Sequence, residues 1–211
     1  MLIQVDVDST LYDSDKLFAK VAKEEFDVNW PRKYYKWFGP EDIGTDLDTL
    51  KKIFRRSHSR EYVLQNTPYP GAVEVLKGIA EDFEEAEIAY VSDRNEQQGA
   101  ALKDWLEQEG FLIDPDQHVA ATKDKRHWMR ERKPEIVIDD RVRTMLMARY
   151  ELNAYVVSLE HGHNTNLCNE AEHIYIVDDW KEINSVLRDI VIPKIQEKSV
   201  SRSRQKAYAS R

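Results

Sequence analysis

The chain of 211 residues has one cysteine, Cys168, so no internal disulfide can staple it, and its thiol usage fits a reducing compartment. It has no apolar run beyond strand length: "EIVIDD" and "AYVVSL" are far too short to cross a bilayer. No basic-then-apolar leader precedes Leu2, so the expectation is a cytoplasmic protein with no membrane partner. Internal repeats are missing, as is a GxxxxGK(S/T) loop, which excludes a kinase built on that motif. Excess positive charge is missing too. The net charge of -8 argues against a protein that grips long nucleic acid over its whole surface.

What is present supports one globular unit, since 41% hydrophobic content over this length can fill an α/β core with a modest insertion. Apolar strand-like runs at 2–7, 87–91, 135–138, 153–158 and 173–177 are mostly separated by helix-like stretches. That alternation predicts a Rossmann-like parallel sheet flanked by helices. "PGAVEVLKGIAEDF", "EQQGAALKDWLEQEG" and "RVRTMLMARYELN" carry the helical spacing, with Gly110 as a stop signal in the second. Residues 13–70 show helical spacing but no strong strand, and they read as a helical cap inserted after the first strand. The catalytic core is therefore expected in 1–12 and 71–193. The last segment, 194–211, sets six Lys or Arg against one Glu and reads as a frayed, flexible tail.

Ligands of open parallel sheets gather beyond the carboxyl ends of the strands. The first run delivers Asp6 and Asp8 there, the second Ser92 with Asp93 and Arg94 behind it, and the third Asp139 and Asp140. Each aspartate pair alone could be an ordinary turn. Converging, however, the four carboxylates would repel one another unless a hard, oxygen-liganded divalent cation joined them, and Mg2+ is the natural ion. A hydroxyl at Ser92 and a guanidinium at Arg94 suit phosphate oxygens. Ahead of the third run, "ATKDKRHW" offers Lys123 and Lys125, either able to reach a carboxylate and a bound phosphoryl group.

In order, "DVDSTL", "VSDR", "KDK" and "IDD" resemble the four motifs of the haloacid dehalogenase superfamily in its phosphatase branch. The resemblance implies Asp6 as nucleophile, Asp8 as leaving-group acid and later base, and Ser92 and Lys125 as phosphate-holding groups. It also implies Mg2+ held by Asp6, the Asp8 backbone carbonyl and one of Asp139 and Asp140. Lys125 is preferred over Lys123 because "TKDK" running into a helix is similar to nucleotidase forms of the motif. Ser9 stands where the family commonly has glycine. The details are similar both to 5'(3')-deoxyribonucleotidases and to the phosphatase half of viral polynucleotide kinase-phosphatases, which implies a nucleotide or a nucleic-acid end as substrate partner. A silent nucleotide- or phosphoprotein-binding module and a phosphatase of small sugar phosphates are the alternatives, and the oligomeric state stays open.

Three further features bear on substrate. Trp30, Tyr34 and Trp37 lie at i, i+4 and i+7, a stripe that suits the cap's own core better than a surface that stacks on a base. Lys51, Lys52, Arg55, Arg56 and Arg60 form a basic run that is a solvated face or a guide for polyanions. His161 and His163 read as surface loop histidines outside the site.

Overall fold

The computed structural model describes residues 1–31, 40–111, 119–121, 124–169 and 172–209. Among these, six strands form one parallel sheet: β1 (Leu2–Val5), β2 (Glu87–Ser92), β3 (Val119–Ala121), β4 (Ile136–Ile138), β5 (Tyr155–Leu159) and β6 (Ile174–Val177). Their order is β3-β2-β1-β4-β5-β6, so the chain leaves β1 in one direction and returns on its other side at β4. That reversal opens a crevice at the carboxyl ends of β1 and β4. The sheet is the doubly covered α/β layer expected from the apolar runs, with one addition. β3, only three residues long and two of them alanine, gave no strand signal.

The helices are α1 (Ser14–Phe26), α2 (Leu47–Ser57), α3 (Arg60–Val63), α4 (Ala72–Asp82), α5 (Glu96–Gln108), α6 (Lys125–Arg132), α7 (Val142–Tyr150), α8 (Trp180–Val186) and α9 (Ile192–Ala209). Side chains alternate across the sheet. Ile3 and Val5 join Leu76, Ile79, Leu102 and Leu106 of α4 and α5 on one face, whereas Val137 joins Met129 and Met145 of α6 and α7 on the other. Burial on both faces is why "LIQV", "IVI" and "YVVSL" read as runs dominated by apolar residues.

Gln4 breaks the run. It is fully buried at the centre of β1, in register with Ala89 and Val137, and neither side-chain amide atom has a hydrogen-bond partner. Desolvating an amide without compensation costs about 1 to 3 kcal/mol. Gln4→Met, close in volume, is therefore expected to raise the unfolding free energy by about that amount in chemical denaturation, and a loss of stability would count against it.

Between β1 and α4 the described chain is helical, and α1 packs on α2. Asp13 caps α1 by accepting from the Lys16 amide at 2.9 Å, and Asp46 caps α2 through the Thr49 amide at 2.8 Å. Phe18, Trp30 and Phe54 form a ring cluster with centroids 5.1 to 5.9 Å apart, and Trp30 is buried in it. Trp30 is thus a core residue of the helical segment; Tyr34 and Trp37 lie outside the described residues. Of the basic run, Lys51, Lys52 and Arg55 are exposed, while Arg56 pairs with Glu25 and Glu61 and Arg60 with Asp104.

The expected frayed tail is instead a helix, α9, which continues from α8 through a π-helical turn at Leu187–Val191. Ile192 and Ile195 are buried, and Lys198 donates to the Tyr155 hydroxyl at 3.1 Å with its ammonium 5.0 Å from that ring's centre. Those anchors at helical spacing hold the first turns, and no glycine or proline follows Pro193 to end the helix. No helix of the described residues is long and apolar enough to cross a membrane.

Candidate active site

Asp6 follows the last residue of β1, and its amide donates to the Ile138 carbonyl at 2.8 Å, which sets it beside the end of β4. Asp139 and Asp140 follow β4 directly. One carboxylate oxygen from each of these three buried residues lies within 4.8 Å of the others. Lys125 reaches the same point from the first turn of α6. Its buried ammonium lies 2.5 Å from Asp6 Oδ1 and 2.6 Å from Asp139 Oδ2. The middle residue of "KDK" has a local purpose: Asp124 caps α6 by accepting from the His127 amide at 3.0 Å, and so fixes where Lys125 enters. Lys123 lies outside the described residues.

The electrostatics follow from burial. Burial pushes Asp6 well above the ordinary carboxylate range, opposed by Lys125 and reinforced by Asp139 and Asp140. Asp139 is raised for the same leading reason. Lys125 resists the downward pull of burial because Asp139 and Asp6 hold it charged. When ionised, the three carboxylates outnumber by one the two cations that act on them, Lys125 and Arg141. The donor set is all hard oxygen, so residues and charge both fit a divalent cation such as Mg2+.

Asp8 faces another way. Arg94, itself buried, grips it with Nη2 at 2.6 Å and Nε at 3.2 Å, while the Tyr12 hydroxyl donates at 2.6 Å and Ser92 Oγ at 3.3 Å. Burial would raise the Asp8 carboxyl, but the Arg94 charge and the hydrogen bonds from Arg94 and Tyr12 outweigh it and hold the group well below its usual range. Its side chain is still 21% exposed, so a ligand can reach it. The structure therefore brings Asp6, Lys125, Asp139 and Asp140 into one cluster, and Asp8, Ser92 and Arg94 into a second cluster alongside. Asp8 contributes no carboxylate oxygen to the first.

Several neighbours escaped the sequence reading. Tyr12 lies one turn past Asp8 in "DSTLYD", a position with no recognisable signal. His58 at the end of α2 feels the charges of Asp8, Arg94 and Arg141, and burial pulls its imidazole down to about 4. The histidines read as surface residues require correction. His161 is buried and its Nε2 donates to the Ser9 carbonyl at 2.8 Å; His163 Nε2 donates to the Asp140 carbonyl at 2.8 Å. A loop after β5 runs beside the loops after β1 and β4, a proximity that sequence spacing does not reveal.

Asp15, in the first turn of α1, is pushed up to about 6, by burial first and then by Asp13 and Asp140. The unfolded chain ionises this group near pH 4, as carboxyls ordinarily do, but the folded chain resists until about pH 6. Stability therefore falls as pH rises through that window, and the full penalty persists above it. In metal-free buffer, Asp15→Asn is expected to raise Tm by a few degrees at neutral pH, with the gain shrinking toward pH 4. A gain that grows toward acid would have the wrong sign.

No family model and no curated protein matches the sequence. Solved structures do match the fold. A haloacid dehalogenase-like protein of unknown function from Agrobacterium tumefaciens superposes with a TM-score of 0.60 at 14% identity, over 90% of this chain and 98% of that one. A HAD family hydrolase from Deinococcus radiodurans, solved with bound phosphate and sodium, gives 0.59 at 15% identity over 89% and 95%. A predicted phosphoglycolate phosphatase from Haemophilus somnus gives 0.56 at 15% identity over 89% and 97%. The chain thus has the haloacid dehalogenase-like fold along most of its length.

Proposed function

We propose that this chain is a magnesium-dependent phosphomonoester hydrolase of the haloacid dehalogenase type. The observation that carries the reading is the division of labour at the tip of β1: Asp6 sits in a carboxylate cluster with Lys125, and Asp8, two residues on, sits apart within reach of a ligand. Mg2+ would be held by Asp6, the Asp8 backbone carbonyl and Asp139 or Asp140, and it supplies the charge that lets an anionic phosphate approach a carboxylate. A carboxylate oxygen of Asp6 attacks phosphorus, forming an acyl phosphate as the bond to the leaving oxygen breaks. Lys125 and Ser92 hold phosphoryl oxygens in line. Asp8 protonates the leaving oxygen and then takes a proton from the attacking water.

Asp8 is ionised while Arg94 grips it, so it must gain a proton before it can serve as an acid. Arg94 turning from Asp8 to the phosphoryl oxygens removes the charge that keeps Asp8 ionised and makes that proton available. A silent binding module would need the cation cluster but not this second, ligand-accessible carboxylate.

The helices of residues 13–70 serve as a cap over the site, and the substrate is a nucleotide or a nucleic-acid terminal phosphate. Support comes from the motif resemblance and from exposed Lys51, Lys52 and Arg55 on α2. Burial of Trp30 removes one aromatic from the stacking argument. Sugar phosphates are the second reading, favoured by a structural neighbour described as a β-phosphoglucomutase. A screen of phosphate release with Mg2+ across nucleoside monophosphates, 3'-phosphorylated oligonucleotides, sugar phosphates and phosphopeptides decides between them. Nucleotides or oligonucleotide ends are expected to give the highest kcat/KM, with steep salt dependence for the oligonucleotides. Sugar phosphates outrunning all of them would overturn the substrate assignment.

A further inference from the structure

We propose that His161 and His163 are positioning residues: a paired brace that ties the loop after β1 to the loop after β4 and so presets the carboxylate cluster for its cation. This rests on the metal-binding part of the reading above, and not on which substrate is hydrolysed.

The loop after β1 has an energetic problem. Ser9 has φ of 60°, a left-handed conformation that is unfavourable for a residue with a side chain and persists only where the surroundings over-determine it. The surroundings do so here. Three consecutive carbonyls each accept from a different part of the chain: Ser9 from His161 Nε2 at 2.8 Å, Thr10 from Trp180 Nε1 at 3.1 Å, and Leu11 from the Tyr69 amide at 2.7 Å. Of these donors, His161 belongs to a segment that also touches the β4 loop. Two residues further on, His163 donates to the Asp140 carbonyl at 2.8 Å, and its Nε2 also lies 3.5 Å from Asp140 Oδ2.

The brace is itself rigid. The two imidazole planes are parallel within 1°, with centroids 5.6 Å apart. Asn164, fully buried, accepts from the His161 amide at 2.8 Å and donates to the Leu159 carbonyl at 2.9 Å and to Ser158 Oγ at 3.0 Å, locking the turn to the end of β5. A histidine whose Nε2–H donates to a carbonyl has no lone pair on that nitrogen to give a cation. The pair therefore acts through Ser9 and Asp140 rather than as ligands.

The test is cation binding by the full chain, measured by Mg2+ and Mn2+ titration calorimetry without substrate, on variants whose folding is checked by circular dichroism. His161→Phe and His163→Phe keep ring bulk but remove the donor, and each is expected to weaken binding by about 10- to 100-fold. Saturating cation should recover most of kcat, so the loss falls on the metal requirement. His161→Gln, which can present an N–H at similar reach, should bind within a few-fold of the parent. Adding Ser9→Gly to His161→Phe should recover affinity, because glycine takes the left-handed conformation without being held there. Unchanged affinity in both Phe variants, failure of Gln and Gly to restore any of it, or absence of cation binding by the parent chain would each overturn the brace. If His161→Phe does not fold, His163→Phe carries the comparison, with a loss of about 10- to 100-fold expected and unchanged affinity overturning the brace. A chain that binds cation in this brace-dependent way yet hydrolyses no phosphomonoester would keep the inference and overturn the hydrolase reading.

Discussion

Asp6→Asn is expected to lower phosphate release by on the order of 10⁴- to 10⁶-fold, because it removes the attacking oxygen while keeping the side chain's shape. The fold should survive. The amide oxygen can still accept from Lys125, which also keeps its contact with Asp139 at 2.6 Å. Asp6 is raised above its ordinary range chiefly by burial, so ionising it costs stability at neutral pH, and a neutral amide relieves that cost. The variant's Tm in metal-free buffer should therefore equal or exceed that of the parent. Full turnover in a folded Asn variant would remove Asp6 from the nucleophile's role; a large fall in Tm would contradict the electrostatic account.

Lys125→Met should show the second large effect, in stability as much as in activity. The ammonium is buried between Asp6 and Asp139, with Asp140 close by, and Met fills its volume without its charge. Breaking a buried ion pair by removing one partner typically costs about 3 to 5 kcal/mol, which for a chain of this size is roughly 6 to 20 °C in Tm. The three carboxylates left behind form a stronger cation site, so added Mg2+ should raise the variant's Tm by more than it raises the parent's. Equal Mg2+ shifts in the two proteins would mean that the cluster is not where the cation binds.

These two residues also mark what could be read before any coordinates. Strand ends are legible because a carboxylate at the tip of a buried, mostly apolar strand is costly, so "LIQVDVD" and "EIVIDD" announce their aspartates. β3 was not legible, since a valine and two alanines have no pattern that separates a strand from a loop. Asp6 and Lys125 could be named from sequence, but their contact 119 residues apart could not, because it depends on where α6 enters. Tyr12, His58 and the histidine brace were missed for the same reason. Their neighbours come from other loops, and a histidine in "SLEHGHNTN" looks identical whether it faces solvent or Ser9. The tail was misread because charge was weighed over helical spacing, although Ile192 and Ile195 anchor its first turns.

The most direct test of the central claim is to quench the enzyme in acid during turnover of a ³²P-labelled phosphomonoester with Mg2+, and to locate the label by peptide mapping. The account predicts acid-stable label on the peptide carrying Asp6, lost when Asp6 is replaced by Asn and enriched when Asp8 is, since Asp8 activates the water that removes it. Turnover with label on another residue, or brisk turnover with no covalent label in either the parent or the Asp8→Asn variant, would contradict it.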